Sequence, residues 1–490
     1  MLRASVRTRR SRRRRLGLVV SGCLLAGLVA GIAGAADPTF TPAPGSPIDT
    51  YAGPWTVLAA DLDRDGNPDL AYTADYRVGS SQPYAGVLLG DGSGGFSPGP
   101  GTPAPIDGFA PGLVSGDWNR DGKPDLASAS IRSDTVTVLL GDGLGGFGAA
   151  PGSPIGVGSF PNSLVAADLS RDGRLDLVAS NGGDGNITIL LGDGTGRFKE
   201  AEGSPVHVAG WAASSVAVDL NHDGRLDLAI SGSDYVTVLL GDGLGGFSEA
   251  AGSPIHVGHV SRELAAADLN LDGLPDLAVL RPAPMAHYGD LRILLGDGTG
   301  RFDKTAIPPI PAGDSPNAIA VADLNLDGAP DLAVADGELS NVIIMLGDGT
   351  GDFSPSAGSP FAAGGQPYGL VASDLNHDGR ADLALANYDS ENISILLNTA
   401  APTAVKLADF SARPLSRGVE LRWRAQGAGV LGFNVYRSGA RLNRTLIPAR
   451  GTAYRLLDRG ARAGTSHVYR LQAVRLDGTR AWLGTATAKR

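Results

Sequence analysis

The sequence predicts an all-β protein made of a seven-bladed β-propeller followed by a small β-sandwich. The pattern Asp-x-(Asp/Asn/Ser)-x-Asp-Gly-x-x-Asp occurs seven times, with 49 to 56 residues between successive starts. Within each repeat, short apolar or alternating runs separated by glycine turns predict strands, and no segment after residue 36 shows a helical period. Four strands in a repeat of about 40 to 50 residues are typical of propeller blades. Seven repeats therefore predict seven blades.

Residues 1–36 are predicted to be a secretory signal peptide. They contain eight arginines and no acidic residue, an apolar stretch from Leu16 to Ala33, and small residues before Asp37, which is the order of a cleavable export signal. We expect a secreted or cell-envelope protein with no transmembrane segment in the mature chain. The alternative is anchoring as a lipoprotein at Cys23, within Val20-Ser21-Gly22-Cys23. Because Cys23 is the only cysteine, the exported part has no internal disulfide.

Residues 37–399 are predicted to form the propeller. The seventh repeat ends at Asn398 and lacks the Gly-Asp-Gly turn, the phenylalanine and the Gly-Ser-Pro-Ile tail that follow the third strand of the other repeats. Residues 40–48, Phe-Thr-Pro-Ala-Pro-Gly-Ser-Pro-Ile, match the missing tail. We therefore expect the N-terminal strand to complete the seventh blade and to remove a free sheet edge.

The nine-residue acidic loop predicts a calcium site. Oxygen-bearing side chains at alternate positions and a glycine in sixth place suit a loop that curls around a hard cation. Carboxylates about 4 Å apart repel by roughly 4 kcal/mol at an effective dielectric constant of about 20, so their convergence requires a counter-ion. Oxygen-only ligands favour Ca²⁺ over Mg²⁺ and zinc, and we expect up to seven ions, one per blade. The alternative, a solvated acidic turn, explains a single copy better than seven.

The expected ligands are the side chains at positions one, three, five and nine and the backbone carbonyl at position seven. The side chain at position seven varies and is expected to have no role, whereas position two is always apolar and is expected to anchor the loop to the core. The loop with Ser170 in third place is expected to bind most weakly. In chain order the ligands are Asp61, Asp63, Asp65, Asn67 and Asp69; Asp117, Asn119, Asp121, Lys123 and Asp125; Asp168, Ser170, Asp172, Arg174 and Asp176; Asp219, Asn221, Asp223, Arg225 and Asp227; Asp268, Asn270, Asp272, Leu274 and Asp276; Asp323, Asn325, Asp327, Ala329 and Asp331; Asp374, Asn376, Asp378, Arg380 and Asp382.

These repeats resemble the FG-GAP and VCBS repeats of extracellular propellers, including those of integrin alpha chains. The resemblance covers roughly residues 38–399. It implies a calcium ion in the hairpin between the first and second strands of each blade, with all the ions on one face of the disc. It also implies that the opposite face holds the ligand site.

Aromatic and basic residues gather in the segments expected on that opposite face, which are the crossovers into each blade and the loops between second and third strands. Aromatic residues are only 6% of the chain, so this gathering favours a recognition surface for an extracellular glycan or protein. The alternative is that some of them fill gaps between blades. The longest such loop, residues 281–290, is the best single candidate for a ligand contact. The residues are Trp55, Tyr76, Arg77, Tyr84, Phe109, Phe160, Trp211, Tyr235, His259, Arg262, His287, Tyr288, Tyr368 and Tyr388.

The sequence contains no catalytic constellation and no cofactor motif. The seven histidines are scattered, Gly-x-Ser-x-Gly and His-Glu-x-x-His do not occur, and the paired acids are assigned to metal. The Gly-Asp-Gly turns lead into a strand and not into a helix, unlike dinucleotide sites. We expect a non-catalytic binding or adhesion module. The alternative is a polysaccharide-active lyase or hydrolase, for which the candidates are Arg77, Arg262, His287 and Tyr288.

Residues 401–490 are predicted to form a separate β-sandwich. Alternating runs at 419–423, 432–437 and 466–471 indicate strands and resemble those of fibronectin type III domains, with Trp423 in the core and Tyr469 as a corner tyrosine. This segment holds 17 basic and 4 acidic residues, net +13, whereas the propeller holds 16 basic and 47 acidic residues, net −31. The basic domain is expected to contact the propeller or an anionic envelope polymer, or to be a solvated surface. Nucleic acid is not expected as a partner, and the protein is expected to be a monomer.

Overall fold

A computed structural model describes most of the chain after residue 36. Its described residues are 37–50, 52–75, 82–258, 260–282, 288–303, 307–400, 406–426, 430–438, 440–449, 453–462, 464–475 and 480–489. Every regular element in these ranges is a β-strand, which confirms the all-β fold class. Within these ranges we find no helix with the length and apolar character needed to span a membrane. The predicted signal peptide, including Cys23, lies outside the described residues.

The strands of the described residues are numbered in chain order and fall into nine sheets. The chain opens with β1 (Phe40–Pro42) and β2 (Ile48–Asp49). Sheet 1 has β3 (Pro54–Ala60), β4 (Asp69–Ala74), β5 (Tyr84–Gly90), β6 (Phe96–Pro98) and β7 (Ala104–Pro105). Sheet 2 has β8 (Gly112–Gly116), β9 (Asp125–Ser130), β10 (Thr135–Gly141), β11 (Phe147–Ala149) and β12 (Ile155–Gly156). Sheet 3 has β13 (Pro161–Ala167), β14 (Asp176–Asn181), β15 (Asn186–Gly192), β16 (Phe198–Glu200) and β17 (Val206–His207).

The later repeats follow the same order. Sheet 4 has β18 (Ser214–Val218), β19 (Asp227–Ser231), β20 (Tyr235–Gly241), β21 (Phe247–Glu249) and β22 (Ile255–His256). Sheet 5 has β23 (Glu263–Ala267), β24 (Asp276–Arg281), β25 (Asp290–Gly296), β26 (Phe302–Asp303) and β27 (Ile310–Pro311). Sheet 6 has β28 (Pro316–Ala322), β29 (Asp331–Asp336), β30 (Asn341–Gly347), β31 (Phe353–Pro355) and β32 (Phe361–Ala362). The repeat region ends with β33 (Pro367–Ser373), β34 (Asp382–Asn387) and β35 (Asn392–Asn398).

Each repeat folds as an antiparallel sheet. In sheets 1 to 6 the first four strands pair in chain order, and the short fifth strand pairs with the third. Sheet 7 contains β33, β34 and β35 together with the two N-terminal strands. In that sheet Phe40 lies opposite Asn398 and Ile48 lies opposite Ile393. The N-terminal segment thus occupies in sheet 7 the places that the fourth and fifth strands occupy elsewhere.

The sheets of the repeat region form a β-propeller. Their first strands contact one another in a closed cycle, from β3 through β8, β13, β18, β23 and β28 to β33, which returns to β3. The second strands are buried along their whole length because neighbouring sheets cover both of their faces. The core therefore lies between sheets, as where Val114 and Trp118 of sheet 2 share a cluster with Leu164 and Leu177 of sheet 3.

A small β domain follows the propeller. Its strands are β36 (Lys406–Leu415), β37 (Gly418–Gln426), β38 (Val430–Arg437), β39 (Ala440–Arg441), β40 (Ile447–Pro448), β41 (Ala453–Asp458), β42 (Ser466–Arg475) and β43 (Arg480–Lys489). Sheet 8 has the order β36-β37-β41, and sheet 9 has the order β39-β38-β42-β43 with β40 beside β38. Trp423 of sheet 8 and Phe433 and Tyr469 of sheet 9 lie in one core cluster. The Tyr469 hydroxyl donates to Asp458 Oδ2 at 3.0 Å.

Candidate metal loops and central cavity

Each acidic loop connects the first and second strands of its sheet. Loops 1 to 7 begin at Asp61, Asp117, Asp168, Asp219, Asp268, Asp323 and Asp374, immediately after or close to the end of the first strand. The apolar residues at position two are at most 2% exposed, which confirms that they anchor the loops. They are Leu62, Trp118, Leu169, Leu220, Leu269, Leu324 and Leu375.

Two positions of every loop have left-handed backbone. The glycine at position six has φ between 80° and 94°, as the sequence predicts for the bend. The residue at position four also has positive φ, between 56° and 69°, although none of the seven is glycine, asparagine or aspartate. In loop 7 this residue is His377, whose Nε2 donates to Asn67 Oδ1 at 3.1 Å. Position four of loop 7 therefore contacts loop 1 directly.

Backbone hydrogen bonds shape the loops from the inside, as loop 6 illustrates. Asp323 Oδ1 and Oδ2 accept hydrogen bonds from the N–H groups of Asp327 and Gly328 at 2.9 and 2.8 Å. Asn325 Oδ1 accepts from Asp327 N–H at 2.9 Å, and Asp327 Oδ1 accepts from Ala329 N–H at 2.8 Å. Positions one, three and five are therefore held along the same curved stretch of backbone.

The donor set in loop 1 fits a hard cation. In loop 1, one carboxylate oxygen from each of Asp61, Asp63 and Asp65 lies within 4.8 Å of the others. Two oxygens that each lie about 2.4 Å from one Ca²⁺ ion can be at most about 4.8 Å apart. The three carboxylates can therefore reach a common ion with little rearrangement. Bound there, the ion would supply the positive charge that the carboxylates lack.

The aspartate at position nine links each loop to the sheet beneath it. All seven of these aspartates are 0% exposed. In loop 6, Asp331 Oδ2 accepts from Leu324 N–H at 2.9 Å and Asp331 Oδ1 accepts from Gly347 N–H, at the end of β30, at 2.9 Å. In loop 7 the corresponding donor is Asn398, and Asp382 Oδ1 accepts from its N–H at 2.7 Å. This carboxylate therefore fastens the loop to the third strand, a role that the acidic pattern does not reveal.

Burial raises the pKa of several loop carboxyl groups. Desolvation raises the pKa to about 6 for Asp69, Asp125 and Asp276 and to about 7 for Asp382, against the opposing effect of the backbone hydrogen bonds. In loop 6, desolvation and then the charge of Asp327 raise the pKa of Asp323 to about 7. These groups resist ionisation when no cation compensates them.

We expect the metal-free protein to become less stable as the pH rises from about 4 to about 7. These aspartates have folded-state pKa values above the ordinary value of 3.8, so in this window the folded state binds more protons than the unfolded state. The free energy of unfolding then falls with rising pH, by about 1.4 kcal/mol per group for each unit of pKa elevation. Melting curves in chelator at pH 5 and pH 7.5 measure this, and a higher melting temperature at pH 7.5 would contradict it.

The expectation that the side chain at position seven has no role is wrong for loop 1, where the Asn67 amide donates to Asp65 Oδ2 at 2.8 Å. It is also wrong for loops 2, 3, 4 and 7. A long basic side chain there reaches back two residues to the carboxylate at position five. Arg380 pairs with Asp378 at 2.6 Å and Arg225 pairs with Asp223 at 3.2 Å. The other pairs are Lys123 with Asp121 at 3.7 Å and Arg174 with Asp172.

A cavity of about 1470 Å³ follows the axis of the propeller. Residues from the first strands of all seven sheets line it. Asp219, Asp268 and Asp272 of the acidic loops lie among the lining residues at the ends of these strands, whereas Trp55 and Tyr368 lie at the beginnings. The cavity therefore extends from the loop side of the ring to the opposite side.

Four aromatic side chains form a cluster on the side opposite the loops. The ring centroid of Trp55 lies 4.1 Å from that of Phe109, 4.4 Å from that of Tyr368 and 4.6 Å from that of Tyr388. We call these four residues the aromatic cluster. They come from sheets 1 and 7 and from the crossover into sheet 2, so the closed ring brings them together.

Charged side chains surround the aromatic cluster. The guanidinium of Arg262 lies 5.1 Å from the ring centroid of Tyr368, and that of Arg132 lies 5.9 Å from the centroid of Phe109. Asp75 is 8% exposed, and among the described residues its Oδ1 has no hydrogen-bond partner. Burial raises the pKa of Asp75, while Trp55 and then Arg132 lower it. Sequence reasoning missed Asp75 and Arg132, although both follow second strands, where the ligand face was expected.

The other described residues that were expected on this face do not join the cluster. Phe160, Trp211 and Tyr288 are exposed, and Trp211 lines the central cavity. Tyr235 packs against His256 with ring centroids 5.2 Å apart. The expected residues Tyr76, Arg77, His259 and His287 lie outside the described residues.

Tyr84 and the loop 281–290 have structural roles that their sequence positions do not show. Tyr84 is buried against Tyr72 in the core, so the expectation that it belongs to a recognition surface is wrong. Its hydroxyl donates to the Thr50 carbonyl. Arg281 is buried, and its Nε donates to Asp290 Oδ1 at 2.6 Å across the base of the loop. Residues 283–287 lie outside the described residues.

A propeller whose sheets each carry an acidic hairpin loop is a repeat protein built from one structural unit. The FG-GAP-like repeat family matches residues 117–179, 172–230, 219–279, 285–334 and 323–385, which together exceed half of the chain. The chain therefore belongs to the FG-GAP-like repeat family. No match is found among curated proteins.

Several solved structures are similar to this chain at low sequence identity. A lectin from Agrocybe aegerita, described as recognising non-reducing terminal N-acetylglucosamine, is 17% identical, with 70% of this chain and 93% of that chain covered and a TM-score of 0.43. A protein from Lactobacillus plantarum is 15% identical, with coverages of 82% and 99% and a TM-score of 0.42. The rhamnogalacturonan lyase YesW is 13% identical, with coverages of 77% and 75% and a TM-score of 0.39. These similarities are too weak to assign a ligand or an activity to this chain.

Proposed function

We propose that this protein is an exported, calcium-binding, seven-bladed β-propeller that acts as a non-catalytic binding or adhesion module. Its ligand is an extracellular glycan or protein. The aromatic cluster at one end of the central cavity is the observation that carries this proposal. Export is supported by the Arg-rich and apolar first 36 residues, and the blade number by seven sheets whose first strands form a closed cycle.

The C-terminal domain is proposed to be a fibronectin type III-like sandwich. Two sheets that share a core support this assignment. Trp423 lies in that core, and the buried Tyr469 hydroxyl donates to Asp458 Oδ2. The domain would then be a second module that accompanies the propeller.

A glycan fits the aromatic cluster better than a flat protein surface does. Ligand sites are typically concave and mostly apolar, with a few polar groups that fix orientation. Here Trp55 and Tyr368 line a cavity and are partly exposed, while Arg262 and Asp75 place opposite charges close by. Sugar rings present apolar faces to aromatic rings and hydroxyl groups to charged side chains. We therefore propose a glycan as the first ligand to test.

Substitution of Trp55 by alanine is expected to weaken glycan binding by at least tenfold. An aromatic side chain that becomes buried against a ligand contributes roughly 1.5 to 3 kcal/mol to the free energy of binding. A loss of 1.4 kcal/mol is a tenfold loss of affinity. A glycan array on the mature protein identifies the ligand, and calorimetry then compares Trp55→Ala with Leu144→Ala. Leu144 is an exposed residue in the turn between β10 and β11, so this control should bind normally. Equal binding by both variants, with melting curves showing that both are folded, would reject the site.

A polysaccharide-active enzyme is the second candidate function. The supporting observation is Glu263, which lines the cavity beside Arg262. Burial raises the pKa of Glu263 to about 7, which suits proton transfer near neutral pH, although Glu263 Oε2 also accepts from Ile319 N–H at 2.9 Å. Of the residues that the sequence suggests for this chemistry, Tyr288 is exposed. If the protein releases unsaturated uronides from a polysaccharide and Glu263→Gln abolishes this release, the enzyme is favoured. Binding of the polysaccharide without turnover favours the binding module.

An anionic envelope polymer is the proposed partner of the C-terminal domain. Arg422 and Arg455 lie directly opposite each other in β37 and β41, and both are exposed. Opposed like charges destabilise a sheet, and Glu420, 3.0 Å from Arg422, supplies one negative charge nearby. A polyanion on this face would relieve the remaining repulsion. Retention on immobilised polyuronate tests this site, and the double variant Arg422→Gln, Arg455→Gln is expected to be retained less. Equal retention of the variant and the unaltered protein would reject this partner site.

A further inference from the structure

The carboxylate at position five has the same hydrogen bond in all seven loops. Its Oδ1 accepts from the backbone N–H of position seven, at distances between 2.7 and 3.0 Å. In loop 6, for example, Asp327 Oδ1 accepts from Ala329. Oδ2 is therefore the oxygen of this side chain that is least committed to the backbone. It is the oxygen that a metal ion in the loop would use most readily.

The seven loops differ in what lies against that Oδ2 atom. In loops 2, 3, 4 and 7 it is paired with the basic side chain at position seven, as in the 2.6 Å contact between Arg380 and Asp378. In loops 5 and 6 it accepts an amide N–H from Asn270 or Asn325 at 3.0 Å. The asparagine at position three makes the same contact in loops 2, 4 and 7 at 3.2 to 3.3 Å, beside the basic side chain. In loop 1 it accepts from the side chain of Asn67 at 2.8 Å. Position seven in loops 1, 5 and 6 is Asn, Leu or Ala and carries no charge.

A cation at position seven opposes a second cation in the same loop. If the basic side chain stays at Oδ2, it lies close to the incoming Ca²⁺ and repels it. If the basic side chain moves into solvent, its ion pair with the aspartate at position five is lost. Both routes lower the affinity for Ca²⁺, although solvent screens the effect because these basic side chains are partly exposed.

We infer that the loops form two classes, with loops 1, 5 and 6 binding Ca²⁺ tightly and loops 2, 3, 4 and 7 binding it about severalfold more weakly. The inference rests on the proposed calcium binding and adds to it which residue sets the affinity of each loop. Loop 3 is the weakest, because it combines Arg174 with a serine ligand, Ser170. Four loops therefore carry part of their compensating charge within the chain, and three depend on the ion for it.

Loop 6 depends most on the ion. Asp323 and Asp327 are half-buried and Asp331 is fully buried, so water stabilises their charges poorly. The residue at position seven is Ala329, which cannot supply a compensating charge. Loop 6 is therefore the first site expected to fill as calcium is added.

Calorimetric titration of metal-free, full-length mature protein with CaCl₂ tests the two classes. Three tight sites and four sites that are about severalfold weaker are expected. Arg380→Gln should move one site from the weak class to the tight class. Leu274→Arg should move one site in the other direction, and an arginine is tolerated at this position in loops 3, 4 and 7. Arg64→Gln is the matched control for Arg380→Gln. Arg64 is an exposed residue at position four, and both substitutions remove one positive charge.

The outcomes separate this inference from the proposed calcium binding. Seven equivalent sites, or class sizes that Arg380→Gln and Leu274→Arg do not change, would overturn the two classes while calcium binding stands. An equal shift in Arg64→Gln would attribute the effect to net charge and would also overturn the inference. No calcium binding by the folded protein would overturn the proposed function itself. Circular dichroism of each variant verifies that the propeller is folded before titration.

Discussion

Removal of calcium is expected to lower the melting temperature of the mature protein by roughly 10 to 20 °C. An ion that binds only the folded state at one hundred times its dissociation constant adds about 2.7 kcal/mol to the free energy of unfolding. Several tight sites add this amount several times. Without the ions, the clustered carboxylates of loop 1 and the buried carboxylates of loop 6 repel one another with no compensating cation.

Differential scanning calorimetry in EDTA and in millimolar CaCl₂ measures this effect. Restoration of the melting temperature by Ca²⁺ but not by an equal concentration of Mg²⁺ would show that the ion matters, because Mg²⁺ requires a smaller and more regular octahedral site. A protein that is purified without bound metal and melts identically in EDTA would contradict the calcium assignment.

Deletion of residues 37–49 is expected to abolish cooperative folding of the propeller. The deletion removes β1 and β2 and leaves the outer edge of β35 unpaired. It also removes Phe40, which is buried. The ring centroid of Phe40 lies 5.0 Å from that of Phe361 in sheet 6. The exposed β35 edge then offers unpaired backbone groups to other chains, so aggregation is expected as well.

A milder pair of variants tests the same contact in a protein that still folds. Phe40→Ala should lower the free energy of unfolding by about 3 kcal/mol, because a large buried side chain is lost. Thr41→Ala, on the exposed side of the same strand, should change it by less than about 0.5 kcal/mol. Urea denaturation compares the two variants. A deletion variant with the wild-type midpoint would show that the N-terminal strands do not support the ring.

The acidic loops could be predicted in detail because their geometry is local. Nine consecutive residues specify the bend at position six and the buried apolar residue at position two, and the structure confirms both. The left-handed backbone at position four could not be predicted, because arginine and leucine, as in Arg64, Arg120 and Leu271, have no preference for that conformation. The surrounding hydrogen bonds impose it. The ion pairs of position seven were missed because its varied composition concealed a subset of basic residues.

The aromatic cluster could be predicted only as a set of candidates. The sequence indicates which loops carry aromatic residues, but Trp55 and Tyr368 lie far apart in the chain and meet because sheets 1 and 7 are neighbours in the ring. The same reasoning could not separate Trp55 from Tyr84, since both lie near the beginning of a strand. The direction of the side chain decides the difference, and Tyr84 faces the core.

The pairing of β1 with β35 sets the order in which the molecule can fold. Phe40 lies opposite Asn398, so the first strand has no partner until the last strand of the repeat region has been synthesised. Contacts of such large sequence separation form slowly, whereas the two strands that flank each acidic loop are close in the sequence. Any nascent or truncated chain that stops short of residue 398 therefore retains an open sheet edge, at which other chains can pair.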